Sequence, residues 1–285
     1  MNAIKHGPTI VRLDTAPKGI SVTVAGQLSD GERTVPVVWT LAEECPVSVL
    51  YNGEPFAVMM LSPADLEDFA VGFSVTEGLV DRVSDIQSIR IAEVRDGYLV
   101  NIKIPDATAA RARDKSRTLP GRAGCGICGS RTLETALPAP KRVTGQSPDT
   151  DAVLRAFAAF EGNQPMKAEN RSTHAAAFCA LDGEIQVVRE DIGRHNALDK
   201  LIGGLLRDGR DAASGFVLLS SRFSVEMAQK AAAIGAPFVA SVSAPSALAL
   251  RTAEKAGMGV AALCGDQLMI FDRANSRSGM RERLA

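Results

Sequence analysis

At 285 residues, with 46% hydrophobic and 23% charged side chains, the chain can bury one large core or two ordinary ones without disulfide or metal staples. A formal net charge of -1 supplies no global field for nucleic acid or an anionic membrane, and no run approaches the roughly 18 consecutive apolar residues of a membrane span. Five scattered cysteines, an odd number, do not make a disulfide scaffold, and MNAIKHGPTIVRLDTAPKG lacks the apolar core of a secretory signal, so the expectation is a cytoplasmic protein with neither a nucleic-acid nor a membrane partner.

The first half reads as strand-rich. TVPVVWT (34–40) and PVSVLYNG (46–53) are predicted strands, and IQSIRIAEV (86–94) and GYLVNIKI (97–104) form a predicted pair across Arg95-Asp96. One helix interrupts them. Ser62 offers an N-cap, Pro63 a first helical position, and Leu66, Phe69, Ala70 and Phe73 fall on one face before Gly78. Residues 105–150 read as the least regular part, with Arg111, Arg113, Lys115 and Arg117 preceding PGRAGCGICGS and PAPKRVTGQSPDT. Pro, Gly, Ser and Thr cluster near 138–150, which places a boundary there: a strand-rich N-terminal α+β domain, 1–137, ending in the Cys-x-x-Cys loop, and an α/β domain, 138–285.

The second half alternates. HAAAFCAL (174–181) and EIQVVRE (184–190) suggest a hairpin across Asp182-Gly183, followed by a helix with Leu198, Leu201, Ile202 and Leu205 on one face. GFVLLS, a helix over 224–234, PFVASVS, a helix over 246–256 and GVAAL then give strand–helix–strand–helix–strand, whose natural solution is a parallel sheet; QLMIF (267–271) adds a last strand.

Gly124-Cys125-Gly126-Ile127-Cys128-Gly129 is the most informative stretch. Two thiols at this spacing can form a disulfide, share a metal or activate one another. The glycines remove bulk and let the loop swing, while Arg122, Arg131 and the basic stretch would stabilise a thiolate. A persulfide carrier needs such a nucleophile, and a neighbouring thiol able to free the terminal sulfur as the pair oxidises. A structural zinc would need two more ligands. Cys45, Cys179, Cys264, His6, His174 and His195 remain, without ligand spacing, and no His-x-Glu deaminase motif is present. The expectation is therefore no metal. A thioredoxin-type site would set the pair at a helix start in a βαβ unit, which this Gly-rich loop does not suggest.

Parallel sheets bind ligands beyond the carboxyl ends of their strands, where helix N-termini aim N–H groups at anions. Ser220-Ser221-Arg222 and Ser241-Val242-Ser243-Ala244-Pro245-Ser246 are predicted strand ends that lead into helices. Together they would offer hydroxyls, amides and a guanidinium to a phosphate or pyrophosphate, unless the serines only cap helices. Arg222 favours the anion, since a cap needs no cation. REDIGRHNALDK loads a helix start with Asp191, Arg194, His195, Asn196 and Lys200, a candidate ligand-contacting cluster. His174 opens a strand of small residues, which suits either close ligand approach or a plain buried strand. Neither a P-loop nor a Rossmann fingerprint supports ATP or NAD chemistry.

In this order GCGICG, THAAAF, REDIGRHNALDKLIG, SSRFSVEMAQKAA and PFVASVSAPSALALRTAEKAGM resemble the formate dehydrogenase accessory sulfurtransferase family (FdhD), over roughly the C-terminal two thirds and more loosely over the N-terminal strands. The resemblance implies a sulfurtransferase that takes sulfur from a cysteine desulfurase. It would pass that sulfur to the bis-guanine-dinucleotide molybdenum cofactor, a bound substrate, before insertion into the formate dehydrogenase catalytic subunit. Cys125 would carry the persulfide and Cys128 assist. The fold would be a cytidine-deaminase-like α/β sandwich without the zinc, usually a homodimer. A segment by the C-terminus, here Ala262, Leu263, Cys264, Gly265, Asp266 and Gln267, would contact the cofactor alongside Ser221, Arg222, Ser241, Ser243, His174, Arg194 and His195. The alternative is a non-catalytic chaperone that only binds the cofactor. Two positions depart from the family's habit: Asn170-Arg171 stand where a Thr-Gly step is usual, and Cys264 and Gln267 where arginines are usual.

Overall fold

The computed structural model describes residues 7–13, 19–117 and 138–271. The Cys125 and Cys128 thiols, with Arg122 and Arg131, lie outside the described residues.

A five-stranded sheet forms the first layer. It contains β1 (Thr9–Arg12), β4 (Cys45–Tyr51), β5 (Glu54–Leu61), β6 (Ser88–Val94) and β7 (Gly97–Lys103), in spatial order β1-β6-β7-β4-β5. β6 and β7 pair antiparallel around Arg95-Asp96, as the sequence predicts, while β4 runs parallel to β7. Alternation in β4 sends Cys45, Val47, Val49 and Tyr51 into the core. Among the described residues, the remaining two strands, β2 (Ser21–Ser29) and β3 (Thr34–Ala42), pair only with each other. Their register sets Val22 opposite Leu41, Val24 opposite Trp39, Gly26 opposite Val37 and Leu28 opposite Val35.

Helix α1 (Leu66–Thr76) packs on this sheet. It starts three residues after Pro63, not at it, because Ser62 is used elsewhere. The Ser62 amide donates to Asp191 Oδ2 (2.9 Å), and its hydroxyl accepts from the Ile192 amide (3.0 Å). Asp65 therefore precedes the helix, with φ 51° and no side-chain cap bond. The basic stretch is also more regular than expected. Residues Asp106–Arg117 wind into α2, because alanine, arginine and lysine favour helix and Ala109 and Ala112 bury against the sheet.

Residues 138–149 are extended, and the Val143 amide donates to the Ala256 carbonyl (2.8 Å). Two helices that the sequence reading did not resolve follow. They are α3 (Thr150–Phe160), capped by Asp149 on the Ala152 amide (2.6 Å), and the short α4 (Pro165–Asn170).

The second sheet has six strands: β8 (His174–Ala180), β9 (Ile185–Asp191), β10 (Gly215–Arg222), β11 (Phe238–Ser243), β12 (Gly259–Cys264) and β13 (Gln267–Phe271), in order β13-β12-β11-β10-β8-β9. β10, β11 and β12 are parallel and the other pairs antiparallel, so the fold is mixed α/β with partly parallel sheets, as expected. Helices α5 (Arg194–Arg207), α6 (Val225–Ala233) and α7 (Ala247–Ala256) cover one face, and α3 the other. Leu198, Leu201 and Ile202 fill the first of these cores, as their spacing predicts.

Helices α1 and α5 join the two layers at a glycine crossing. A Cβ on Gly72 would lie 1.8 Å from the Asp199 carbonyl oxygen, and one on Gly203 1.8 Å from that of Asp68. Only glycine lets the backbones come this close. Buried ion pairs flank the crossing. Lys200 meets Asp191 at 2.6 Å with both side chains fully buried, Lys230 meets Asp199 at 2.8 Å, and Asp68 takes both Arg189 and Arg207.

Candidate functional site

The β9–α5 turn is built around one carboxylate. Asp191 Oδ1 accepts from the Gly193 amide (2.8 Å) and from Asn196 Nδ2 (3.1 Å), while Oδ2 takes the Ser62 amide and Lys200. Asn196 Nδ2 also reaches the Met60 carbonyl (2.9 Å), 136 residues away. The turn that starts α5 is thus pinned to the end of β5. Removing Lys200 alone would strand a buried carboxylate, a change worth about 3–5 kcal/mol.

A cavity of about 370 Å³ opens at this junction, lined by Glu44, Val58, Met59 and Met60 from one layer and His174, Ile192, Gly193, Arg194, His195 and Asn196 from the other. His174, Arg194 and His195 thus line one cavity. Ser220 Oγ accepts from the Ala175 amide (2.8 Å) and lies 3.5 Å from His174 Nδ1. Among the described residues, two buried polar atoms of this lining have no hydrogen-bond partner: Arg194 Nε and His195 Nε2. Buried polar groups are normally paired, so two unpaired atoms in one lining make this cavity the candidate ligand site.

Both imidazoles are held neutral. Burial, then the Arg194 and Lys167 charges, lower the His174 pKa. Burial, then Arg194 and Lys230, push His195 down to about 4. Neither ring adds charge at neutral pH, and Arg194 is the cation in the lining.

The other expected residues extend along the same sheet edge. Arg222 sits opposite Ser243 in the β10–β11 register, both exposed, and Ser241 sits opposite Ala262. Ser221 and Ser241 are buried, with hydroxyls donating to the Arg222 carbonyl (3.3 Å) and the Ser243 carbonyl (2.8 Å). Ser246 caps α7 through the Ala249 amide (3.2 Å). Ala262 is buried, Leu263 half-buried, and Cys264, Gly265, Asp266 and Gln267 form the exposed β12–β13 turn. From β8 to β12 the edge crosses three strand spacings, about 14 Å. Asn170 and Arg171 engage the β2–β3 ribbon: Asn170 Nδ2 reaches Ser21 Oγ (3.3 Å), and the Arg171 guanidinium lies 5.0 Å from the Trp39 ring centroid.

Glu44 and Met60 escaped the sequence reading, and Ser62, read only as a helix cap, holds the turn instead. No local motif marks Glu44 or Met60; the fold brings them in from distant segments. Among the described cysteines Cys45 and Cys179 are buried and Cys264 exposed, and burial pushes the Cys179 thiol up to about 12. A buried thiol of that kind is inert. Among the described residues no three His, Cys, Asp or Glu side chains gather as a metal site, and no helix is long and apolar enough to cross a membrane.

Comparison with known proteins agrees with this architecture. The FdhD/NarQ family model matches residues 42–276. The chain is 46% identical over 229 residues to the sulfur carrier protein FdhD of Xanthomonas euvesicatoria pv. vesicatoria (strain 85-10), covering 80% of this chain and 82% of that protein. It is 49% identical over 223 residues to the protein of the same name from Cupriavidus necator, covering 78% and 77%. A crystal structure of a protein described as a formate dehydrogenase accessory protein, from Desulfotalea psychrophila, superposes with a TM-score of 0.71 over 89% of this chain and 97% of that one, at 22% identity, which establishes a shared fold. Fold, motif order and sequence identity converge, and the chain belongs to the FdhD/NarQ family.

Proposed function

We propose that this protein is a cytoplasmic sulfur carrier for formate dehydrogenase maturation. It accepts sulfur from a cysteine desulfurase on Cys125 and delivers it to a molybdenum bis-guanine-dinucleotide cofactor held in the cavity between α5 and β5. One observation carries the cofactor half of this reading. His174, Arg194 and His195 converge on a cavity in which buried Arg194 Nε and His195 Nε2 lack partners among the described residues. An anionic, multiply hydrogen-bonding ligand supplies what those atoms lack. The names of the relatives, sulfur carrier proteins, support the other half.

The sulfur chemistry balances on two thiols. The Cys125 thiolate attacks the outer sulfur of the donor's persulfide, and the donor's thiolate leaves. When the Cys128 thiolate attacks the Cys125 sulfur of the carried persulfide, the terminal sulfur leaves at the sulfide level with two electrons from the pair. The resulting Cys125–Cys128 disulfide is then reset by an external thiol. Chain length permits the delivery. Arg113 of α2 pairs with Glu54 at the start of β5 (3.0 Å). From Arg113 to Cys125 the chain spans up to about 30 Å, even with helix as far as Arg117. The length of β5 from Glu54 to Met60 in the cavity wall is about 20 Å.

Intact-protein mass after incubation with a desulfurase and cysteine tests the carrier. The wild type gains one sulfur; Cys125→Ala does not, and Cys128→Ala gains it but releases it slowly. Full loading of Cys125→Ala would remove the carrier role and leave a chaperone that only holds the cofactor.

A further inference from the structure

The cavity between α5 and β5 holds two opposite charges that do not pair. Arg194 and Glu44 both line it. Among the described residues, Arg194 Nε has no partner, and the Glu44 carboxylate makes no ion pair and accepts no hydrogen bond. Glu44 directly precedes β4. Its neighbour Cys45 is buried in the core of the first layer, opposite Leu61, while Glu44 is exposed and its amide donates to the Glu43 carboxylate (3.1 Å). Val58 and Met60 share the lining with it. They stand two residues apart on β5, hence on one face of that strand, and are 61% and 45% exposed. Met59, between them, packs against the core. The lining thus sets a carboxylate and an open apolar strip on one wall, and a cation on the other.

We propose that Glu44 selects the heterocycle of the ligand. Its carboxylate accepts two hydrogen bonds from a 2-amino-4-oxopyrimidine edge, one from the ring N–H and one from the exocyclic amine, the edge that guanine and a pterin share. The proposal rests on the cofactor reading above and adds to it the residue that tells one base from another. Three observations carry it. First, a ligand that answers both charges has an anionic end for Arg194 and N–H donors for Glu44. A guanine nucleotide carries both on one molecule. Second, Val58 and Met60 offer a flat ring an apolar seat beside the carboxylate, and a thioether makes favourable contacts with aromatic rings. A bare cation or a simple amine would meet Glu44 but leave that strip uncovered. Third, the cavity volume of about 370 Å³ falls in the range of small-molecule sites, on the order of 300–1,000 Å³. Adenine does not fit this wall. Its ring N1 is an acceptor and would face the carboxylate lone pairs. A site built to hydrogen-bond a donor rejects the analogue that lacks it.

Calorimetric titration of the full-length chain with guanosine, inosine, xanthosine and adenosine diphosphates tests the selection. The wild type binds the guanosine form at least about tenfold more tightly than the inosine form, which lacks the 2-amino group, or the adenosine form. Glu44→Gln reverses the choice. The carboxamide still accepts from the ring N–H but donates to the 2-oxo group of xanthine, so xanthosine diphosphate becomes the tighter ligand. A gain of affinity for a new base cannot come from a variant that has failed to fold. A second arm uses pterin-6-carboxylate against lumazine-6-carboxylate, its 2-oxo analogue. The same reversal confined to this arm assigns the edge to the pterin; confined to the nucleotides, it assigns the edge to guanine. Arg194→Ala separates this proposal from the cofactor reading. Nucleotide binding that Arg194→Ala weakens, with a base preference that Glu44→Gln leaves unchanged, would overturn the selection by Glu44 and leave the cofactor reading standing. A wild type that binds the four nucleotides equally and the two pteridines equally would also overturn the selection, and one that binds none of these probes would overturn both.

Discussion

His195 is 8% exposed, and its ring has no partner for Nε2 among the described residues. Burial and the neighbouring Arg194 charge set its pKa near 4, well below the usual 6.5, and lower His174 by the same causes. An anion arriving between these rings reverses the local charge and favours the protonated imidazolium. Binding of a guanine nucleotide is therefore expected to draw protons into the site between pH 4 and 6.5, and affinity to rise as pH falls from 7 to 5.5. Calorimetry at pH 6 in two buffers of different ionisation enthalpy measures the uptake; no uptake, or release, contradicts this placement of the ligand. The empty protein obeys the same linkage with the opposite consequence. Its unfolded state binds the His195 proton more tightly, so stability is lost as pH drops from 6.5 towards 4.

At the scale of elements, the crossing of α1 and α5 decides whether the cavity exists. A methyl group at position 203 would need the space of the Asp68 carbonyl, and the two helices would have to separate. Gly203→Ala is expected to lower stability by at least about 2 kcal/mol in urea unfolding, with loss of nucleotide binding. A change below about 0.5 kcal/mol would show that the crossing is not tight. Periodicity revealed both helices, because leucines and phenylalanines recur on their core faces. The start of α1 was not legible, since Ser62 has all the features of a cap and is held instead by Asp191. Helix α2 was obscured by a charge run that reads as solvated coil. The ladder of parallel strands β10, β11 and β12 was legible from the strand–helix alternation alone.

Across the whole molecule, the candidate cavity lies where the two layers meet. His174, Arg194 and His195 were visible in the sequence as polar residues at element starts, and the fold gathers them in one cavity. Its other wall, Glu44 and Val58 to Met60, carries no sign in the sequence, because contacts across more than a hundred residues leave no local pattern. On the proposed reading, sulfur loading belongs to the thiol loop and cofactor holding to the α5 turn, so mutation is expected to separate them. The decisive measurement is the intact mass of persulfide-loaded protein followed in time after adding the molybdenum bis-guanine-dinucleotide cofactor. The wild type is expected to shed its extra sulfur, while Arg194→Ala loads equally well and sheds it at least tenfold more slowly, the effect of losing about 1.4 kcal/mol of binding. Equal rates of sulfur loss from both proteins would contradict the account.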